Sequence, residues 1–177
     1  MAATSGLTTA HFKLRLMTPA MVTDRWVGWT RDPVLMAQLN SRLLNLSRID
    51  IQGYVANAIA SKRAIIGIFS KRNDEHVGLY EAVADPQHRN VTIDVLVDRE
   101  QHDLQKVLRE TDPVLLADLR SRFKMEKAVT MVVGTYLPAI RHFESTGWNR
   151  EGVLREDYPS ADGTSRVDVV QFGKELI

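Results

Sequence analysis

Phe12, Leu14 and Leu16 alternate with Lys13 and Arg15, a period of two that predicts a half-buried strand over residues 12–18. From Thr18 the period lengthens. Pro19 suits a first helical position, and Met21, Val22, Trp26 and Trp29 follow at helical spacings. Asp32 and Pro33 mark a second helix start, leading into "VLMAQLNSRLL". A third helix is expected over "IDIQGYVANAIAS", where Ile51, Tyr54, Val55, Ala58 and Ile59 share one face, although Gly53 weakens it by roughly 1 kcal/mol.

Three β-rich runs come next, "AIIGIFS", "HVGLYEAVA" and "NVTIDVLVD", separated by the turn-forming "KRNDE" and "DPQHRN". Antiparallel hairpins are the expectation. "DPVLLADLRSRF" has the Asp-Pro opening of a helix able to cover a sheet, and "KAVTMVVGT" predicts a buried strand. Residues 137–146 form an amphipathic helical pattern stopped by Gly147. "WNREGVLREDY" and "TSRVDVVQFGKEL" then predict two strands joined by the turn "PSADG".

The order β, α, α, α, β, β, β, α, β, α, β, β predicts an α/β protein, with a single mixed, mostly antiparallel sheet flanked by helices. Its antiparallel middle argues against a doubly wound dinucleotide fold, and neither G-x-G-x-x-G nor a P-loop sequence occurs. With 177 residues, 44% of them apolar, one domain over 1–177 is expected.

Charge narrows the partners. Lys and Arg total 23 against 22 Asp and Glu, a balance that gives no footprint for a phosphate backbone, so no nucleic-acid partner is expected. The absence of cysteine removes disulfides and a thiol nucleophile and fits a reducing compartment. No apolar run reaches membrane length, the longest being "AIIGIF", and no leader pattern opens the chain, so a cytoplasmic protein without membrane contact is expected. The five histidines show no metal-ligand spacing; no metal is expected.

The element order together with "RWVGWTRDP", "IIGIF", "HVGLYE" and "IRHFESTGWNREGVLRE" resembles the GCN5-related N-acetyltransferase superfamily over nearly the whole chain. The resemblance is to its branch of ribosomal-protein and amino-sugar acetyltransferases. It implies transfer of an acetyl group from acetyl-CoA, as co-substrate, to the amine of a small-molecule or peptide acceptor. It further implies that "NVTIDVLVD" and "KAVTMVVGT" diverge after Asp94 and Val132. The main chain of Val95, Leu96 and Val97 would then meet the pantetheine arm.

The departures from the family are equally specific. Where relatives place a glycine-rich pyrophosphate loop, residues 102–110 read "HDLQKVLRE", without glycine. Two accounts follow. In one, the helix starts later, at Thr111 to Pro113, and Lys106 and Arg109 neutralise phosphate by charge. In the other, the chain is a non-catalytic binding or scaffold domain of this fold, and both side chains lie on a solvated helix face.

Phe143 stands where many relatives carry a tyrosine acid; the resemblance implies that Tyr136, at the end of "KAVTMVVGT", lies near the thioester sulfur, which makes it the candidate general acid, and Glu81, beyond "VGLY", is the candidate base if it faces the cleft. Either residue equally suits a packing or surface role. Trp26, Trp29 and Tyr54 lie on the helices that form the family's acceptor side, or else simply pack the core. Homo-oligomerisation through the terminal strands stays open.

Overall fold

The computed structural model describes residues 6–39, 41–98, 100 and 102–176. Eight strands form one sheet in the order β1-β2-β3-β4-β5-β6-β8-β7. They are β1 (Leu7–Thr8), β2 (Phe12–Leu16), β3 (Arg63–Ser70), β4 (His76–Asp85), β5 (Asn90–Val97), β6 (Lys127–Val133), β7 (Asn149–Pro159) and β8 (Arg166–Glu175). All neighbours pair antiparallel except β5 and β6, which run parallel. The mixed, mostly antiparallel sheet expected from the pattern is therefore present, with one further short strand, β1.

Among the described residues five α-helices flank it: α1 (Asp24–Trp29), α2 (Pro33–Gln38), α3 (Arg48–Ala60), α4 (Leu104–Phe123) and α5 (Leu137–Ser145). The first two helices are shorter than the periodicity predicts, whereas α3 has the length expected. A 3-10 turn at Pro19–Met21 is followed by extended Val22 and Thr23, whose hydroxyl accepts from Trp26 N–H and starts α1 separately. Asp32 caps α2 as expected, accepting from Val34 and Leu35 N–H at 2.8 and 3.0 Å. That helix ends at Gln38, and residues 41–47 adopt neither helix nor strand. A reciprocal capping box between Ser47 and Asp50 then opens α3.

The sheet has a distinct core on each face. One side buries Ile66, Ile68, Tyr80 and Ile93 against Leu108, Leu115 and Leu119 of α4 and Phe143 of α5. The other side buries Ile65, Phe69 and Leu96 against Trp26 and Trp29 of α1, Met36 of α2 and Val55 of α3. Alternation along β5 thus sends Ile93, Val95 and Val97 one way and Asp94 and Leu96 the other.

The expected late helix start at Thr111 to Pro113 is not what forms. α4 begins at Leu104, where Asp103 accepts from Lys106 N–H at 3.1 Å, and runs through Pro113. A proline there leaves the carbonyl of Arg109 without its helical donor. Arg109 is exposed, so water can hydrate that carbonyl. On the buried side Tyr80 Oη lies 2.6 Å from both Thr111 Oγ1 and Asp112 Oδ1, and Asp112 Oδ2 lies 2.8 Å from His142 Nε2. These contacts hold the helix to the sheet beside the proline.

Helix α5 stops as its sequence predicts. Gly147 has φ of +79°, Trp148 N–H donates back to Phe143 O at 3.2 Å, and the two rings meet edge to face 5.1 Å apart.

Candidate functional site

β5 and β6 pair over only three residues each, Asn90–Thr92 against Lys127–Val129, and beyond them no pairing continues. The divergence thus begins earlier than Asp94 and Val132. β6 stays in the sheet through β8, to which it pairs as far as Val133. β5 stays in through β4, and just past its end Asp98 N–H donates to Val77 O at 2.8 Å. Since successive residues of a strand point their main-chain groups to opposite sides, Val95 and Val97 turn theirs towards the departing β6. Leu96, by the same alternation, turns its main chain to β4 and its side chain to the opposite core.

A cavity of about 320 Å³ occupies the gap, lined by Val95, Thr130, Val132, Tyr136, Phe143 and Tyr158 among others. Tyr136 is brought there by the turn from β6 into α5, where its N–H donates to Val133 O at 2.8 Å. Its ring is half-buried against the α4–α5 core.

On the α1–α3 side lies a second cavity, of about 250 Å³. Leu39, Asp94 and Val95 line both cavities, so the two adjoin at β5. The walls of the second are Trp26 and Trp29 of α1, Met36 of α2, Leu44 and Leu46 of the following segment, and Ile51 and Tyr54 of α3, with Leu79 and Leu96 of the sheet. Asp98 fixes this wall by accepting from Trp29 Nε1–H at 3.1 Å and from Arg25 Nε–H at 2.6 Å.

Two carboxylates share its polar end. Glu81 on β4 is paired directly with Asp94 on β5. Glu81 already accepts from Arg63 at 2.6 Å and from the Tyr54 hydroxyl. Burial, then the bond to Glu81, pushes the Tyr54 phenol up to about 12, so Tyr54 remains a donor. Asp94 has no cation or hydrogen-bond partner for its side chain among the described residues. Desolvation by the cavity walls, reinforced by the charge on Glu81, raises its carboxyl above the ordinary value. Asp94 is exposed yet lines both cavities, whose walls crowd its carboxyl.

Lys106 and Arg109 sit on the first two turns of α4, both exposed. The helix start is occupied by the carboxylate of Asp103, and Glu100 lies just before it. Asp94 and Arg63 escaped the reading of the sequence. Pairing "HVGLYE" with "NVTID" as a hairpin would have placed Asp94 opposite Glu81; nothing comparable flags Arg63.

Comparison with known proteins separates sequence from shape. The sequence matches no protein-family model and no curated protein. The structure overlays on a spermidine N-acetyltransferase from Vibrio cholerae in complex with CoA and spermine, with TM-score 0.79 at 14% identity, covering 93% of this chain and 95% of that one. A GNAT-family acetyltransferase from Bacillus anthracis gives 0.77 at 14% identity, covering 96% and 98%. The ribosomal L7/L12 alpha-N-protein acetyltransferase RimL, in its apo form, gives 0.79 at 13%, covering 94% and 91%. The chain has the GCN5-related N-acetyltransferase fold.

Against that acetyltransferase fold, the cleft between β5 and β6 has the form that an extended thiol-bearing arm needs: β5 without its parallel neighbour past Thr92, and a wall that mixes Val95, Val132 and Phe143 with Thr130, Tyr136 and Tyr158. The residues at the start of α4 suit a diphosphate only through side-chain charge, since Asp103 occupies the place where helix N–H groups would serve an anion. Among the described residues no group of three or more His, Asp or Glu is placed to hold a metal ion. No helix among them is long and apolar enough to cross a membrane.

Proposed function

We propose that this chain transfers an acetyl or other acyl group from acyl-CoA to a primary amine. The observation that carries this reading is the pair Asp94 and Val95, which line both cavities where β5 loses its parallel neighbour. One cavity has the character required by a thioester arm and the other that required by an amine, and they adjoin at these two residues.

When bound, acyl-CoA supplies an acyl carbon activated as a thioester. Val95 N–H, turned into the cleft, is the donor for its carbonyl oxygen, where negative charge grows during transfer. Asp94 takes a proton from the ammonium, a task suited to a carboxyl raised above its ordinary range. Glu81, bound to Arg63 and Tyr54, positions Asp94 electrostatically and is the less available base. The amine nitrogen bonds to the acyl carbon as the carbon–sulfur bond breaks. Tyr136 gives its phenolic proton to the departing sulfur and recovers one from the nitrogen as the amide forms. Lys106 and Arg109 supply the positive charge for the CoA phosphates.

A non-catalytic reading has one observation in its favour, the acidic cap at Asp103 where an anion would have to dock. Calorimetric titration with acetyl-CoA separates the two. Saturation to one hundred times Kd should raise folding stability by about 2.7 kcal/mol. Released CoA can be followed with a thiol-reactive chromophore without background, because the protein has no cysteine. Tyr136→Phe should lower turnover while leaving acetyl-CoA affinity unchanged. Lack of binding by several acyl-CoAs would overturn the transferase reading.

A further inference from the structure

The acceptor cavity is unusual in how little polarity it contains. Its rings and aliphatic side chains, chiefly Trp26, Trp29, Met36, Ile51, Leu79 and Leu96, surround a single charged end. Among the described residues that line it, only Glu81 and Asp94 are carboxylates, and none is a lysine, arginine or histidine. Glu81 is neutralised by Arg63, which leaves one uncompensated charge among the described lining residues, on Asp94. The three hydroxyl groups among the described lining residues already donate within the protein, Thr30 to Val27 O at 2.8 Å, Ser41 to Arg42 O at 3.1 Å and Tyr54 to Glu81.

From this arrangement we infer that the acceptor is an amphiphilic monoamine, with one primary ammonium at Asp94 and an apolar arylalkyl or alkyl body against the tryptophans. The inference rests on the acyl-transfer reading and sharpens it. A volume of about 250 Å³ holds a single ring with a short chain, below the range of drug-sized ligands. A polyamine would bring a second ammonium against Trp, Leu and Ile surfaces with no carboxylate to receive it, a costly burial. An amino sugar would bring several hydroxyls to a largely apolar wall whose few hydroxyl protons are already donated, so most of the sugar's groups would lose water without a full set of partners. A peptide N-terminus would add amide groups with the same deficit. An apolar body instead gains from every wall it covers, in proportion to the apolar area removed from water.

The test is a panel of amines offered with saturating acetyl-CoA: 2-phenylethylamine, hexylamine, spermidine, glucosamine and a seryl-isoleucyl dipeptide. The two apolar amines should show kcat/KM at least about 100-fold above the other three, and 2-phenylethylamine should bind the enzyme in calorimetry even without acetyl-CoA. Equal or better turnover of spermidine, glucosamine or the dipeptide would overturn the inference and leave acyl transfer standing. Binding of 2-phenylethylamine without turnover of any amine would keep the ligand class and remove the transferase reading. Failure of 2-phenylethylamine to bind at all would overturn the ligand class directly.

A gain of function gives an independent check. Leu44 is half exposed at the rim of the cavity, so Leu44→Asp should fold. A second carboxylate there should shift preference towards 1,6-diaminohexane over hexylamine by about tenfold. An unchanged ratio would show that the apolar wall does not set the choice.

Discussion

Asp94 faces Glu81 across the β4–β5 ladder, yet only Glu81 has a cation of its own, Arg63 at 2.6 Å. Two carboxylates in one register thus differ in what they can do: Glu81 is anchored, and Asp94 is free to exchange a proton with a guest. Asp94→Asn keeps the shape and removes the exchange. Turnover should fall by about 10²- to 10⁴-fold with acetyl-CoA affinity nearly unchanged. As the proposed base Asp94 must be ionised, and its carboxyl is raised by desolvation and by Glu81. Wild-type kcat/KM should therefore be lost as pH falls through that raised value, an acid limb that Asp94→Asn should not show. Measuring kcat/KM against pH in both proteins checks this.

Lys106 and Arg109 are expected to act on phosphate alone. Their joint replacement by alanine should weaken CoA binding by about tenfold or more and leave the affinity for a pantetheine thioester unchanged. Both side chains are exposed on α4, so the variant should keep wild-type stability. Calorimetry with the two ligands checks the difference; equal losses would remove the phosphate role.

The open edge of β5 has a signature in hydrogen exchange. Val95 N–H points to the gap left by β6, whereas Asp94 and Leu96 turn to β4. In the free protein the Val95 amide should exchange at least about 100-fold faster than its two neighbours. Acetyl-CoA should slow it selectively. Residue-resolved exchange by NMR, with and without the ligand, reads both effects.

How legible the molecule is from its sequence varies with the kind of signal. Strands with clear alternation or a buried apolar run, such as β2 and β3, lie where the pattern puts them, and Gly147 ends α5 as expected. The β4–β5 hairpin is also legible, although its tightest contact is not: a methyl group on Gly78 would stand 2.4 Å from Leu96 O, so these strands approach too closely for any side chain there. The start of α4 misleads. Asp112-Pro113 has the form of a helix opening, but Leu104, Val107 and Leu108 bury the preceding turns, and that burial outweighs the proline. At the site, Tyr136 and Glu81 are visible as residue types that can carry protons. Asp94 acquires its character only from the Glu81 opposite and the cavity around it, neither of which is a local property of the sequence.

His76 gives the fold an acid limit. It is buried among Trp26, Trp29 and Phe69, with the Thr23 hydroxyl 2.9 Å from Nδ1. Desolvation lowers its pKa from 6.5 to about 4. The folded protein therefore resists a proton that the unfolded chain accepts. This contribution to stability is complete above about pH 6.5 and declines as pH falls towards 4, by up to about 1.4 kcal/mol per unit. His76→Phe should flatten that slope in urea unfolding measured across the same interval, whatever its stability at pH 7.5.

The three-rung contact between Asn90–Thr92 and Lys127–Val129 also makes the sheet two plates on a short seam, β1–β5 on one side and β6–β8 on the other. Val97 lies five residues past Thr92, roughly 16 Å farther along the strand. Over that lever arm, a small tilt at the seam becomes a large change in aperture without breaking any ladder. Val91 and Ala128, paired at its middle and fully buried, sit at the fulcrum, while α4 and α5, packed into the core that both plates share, brace the span beyond it.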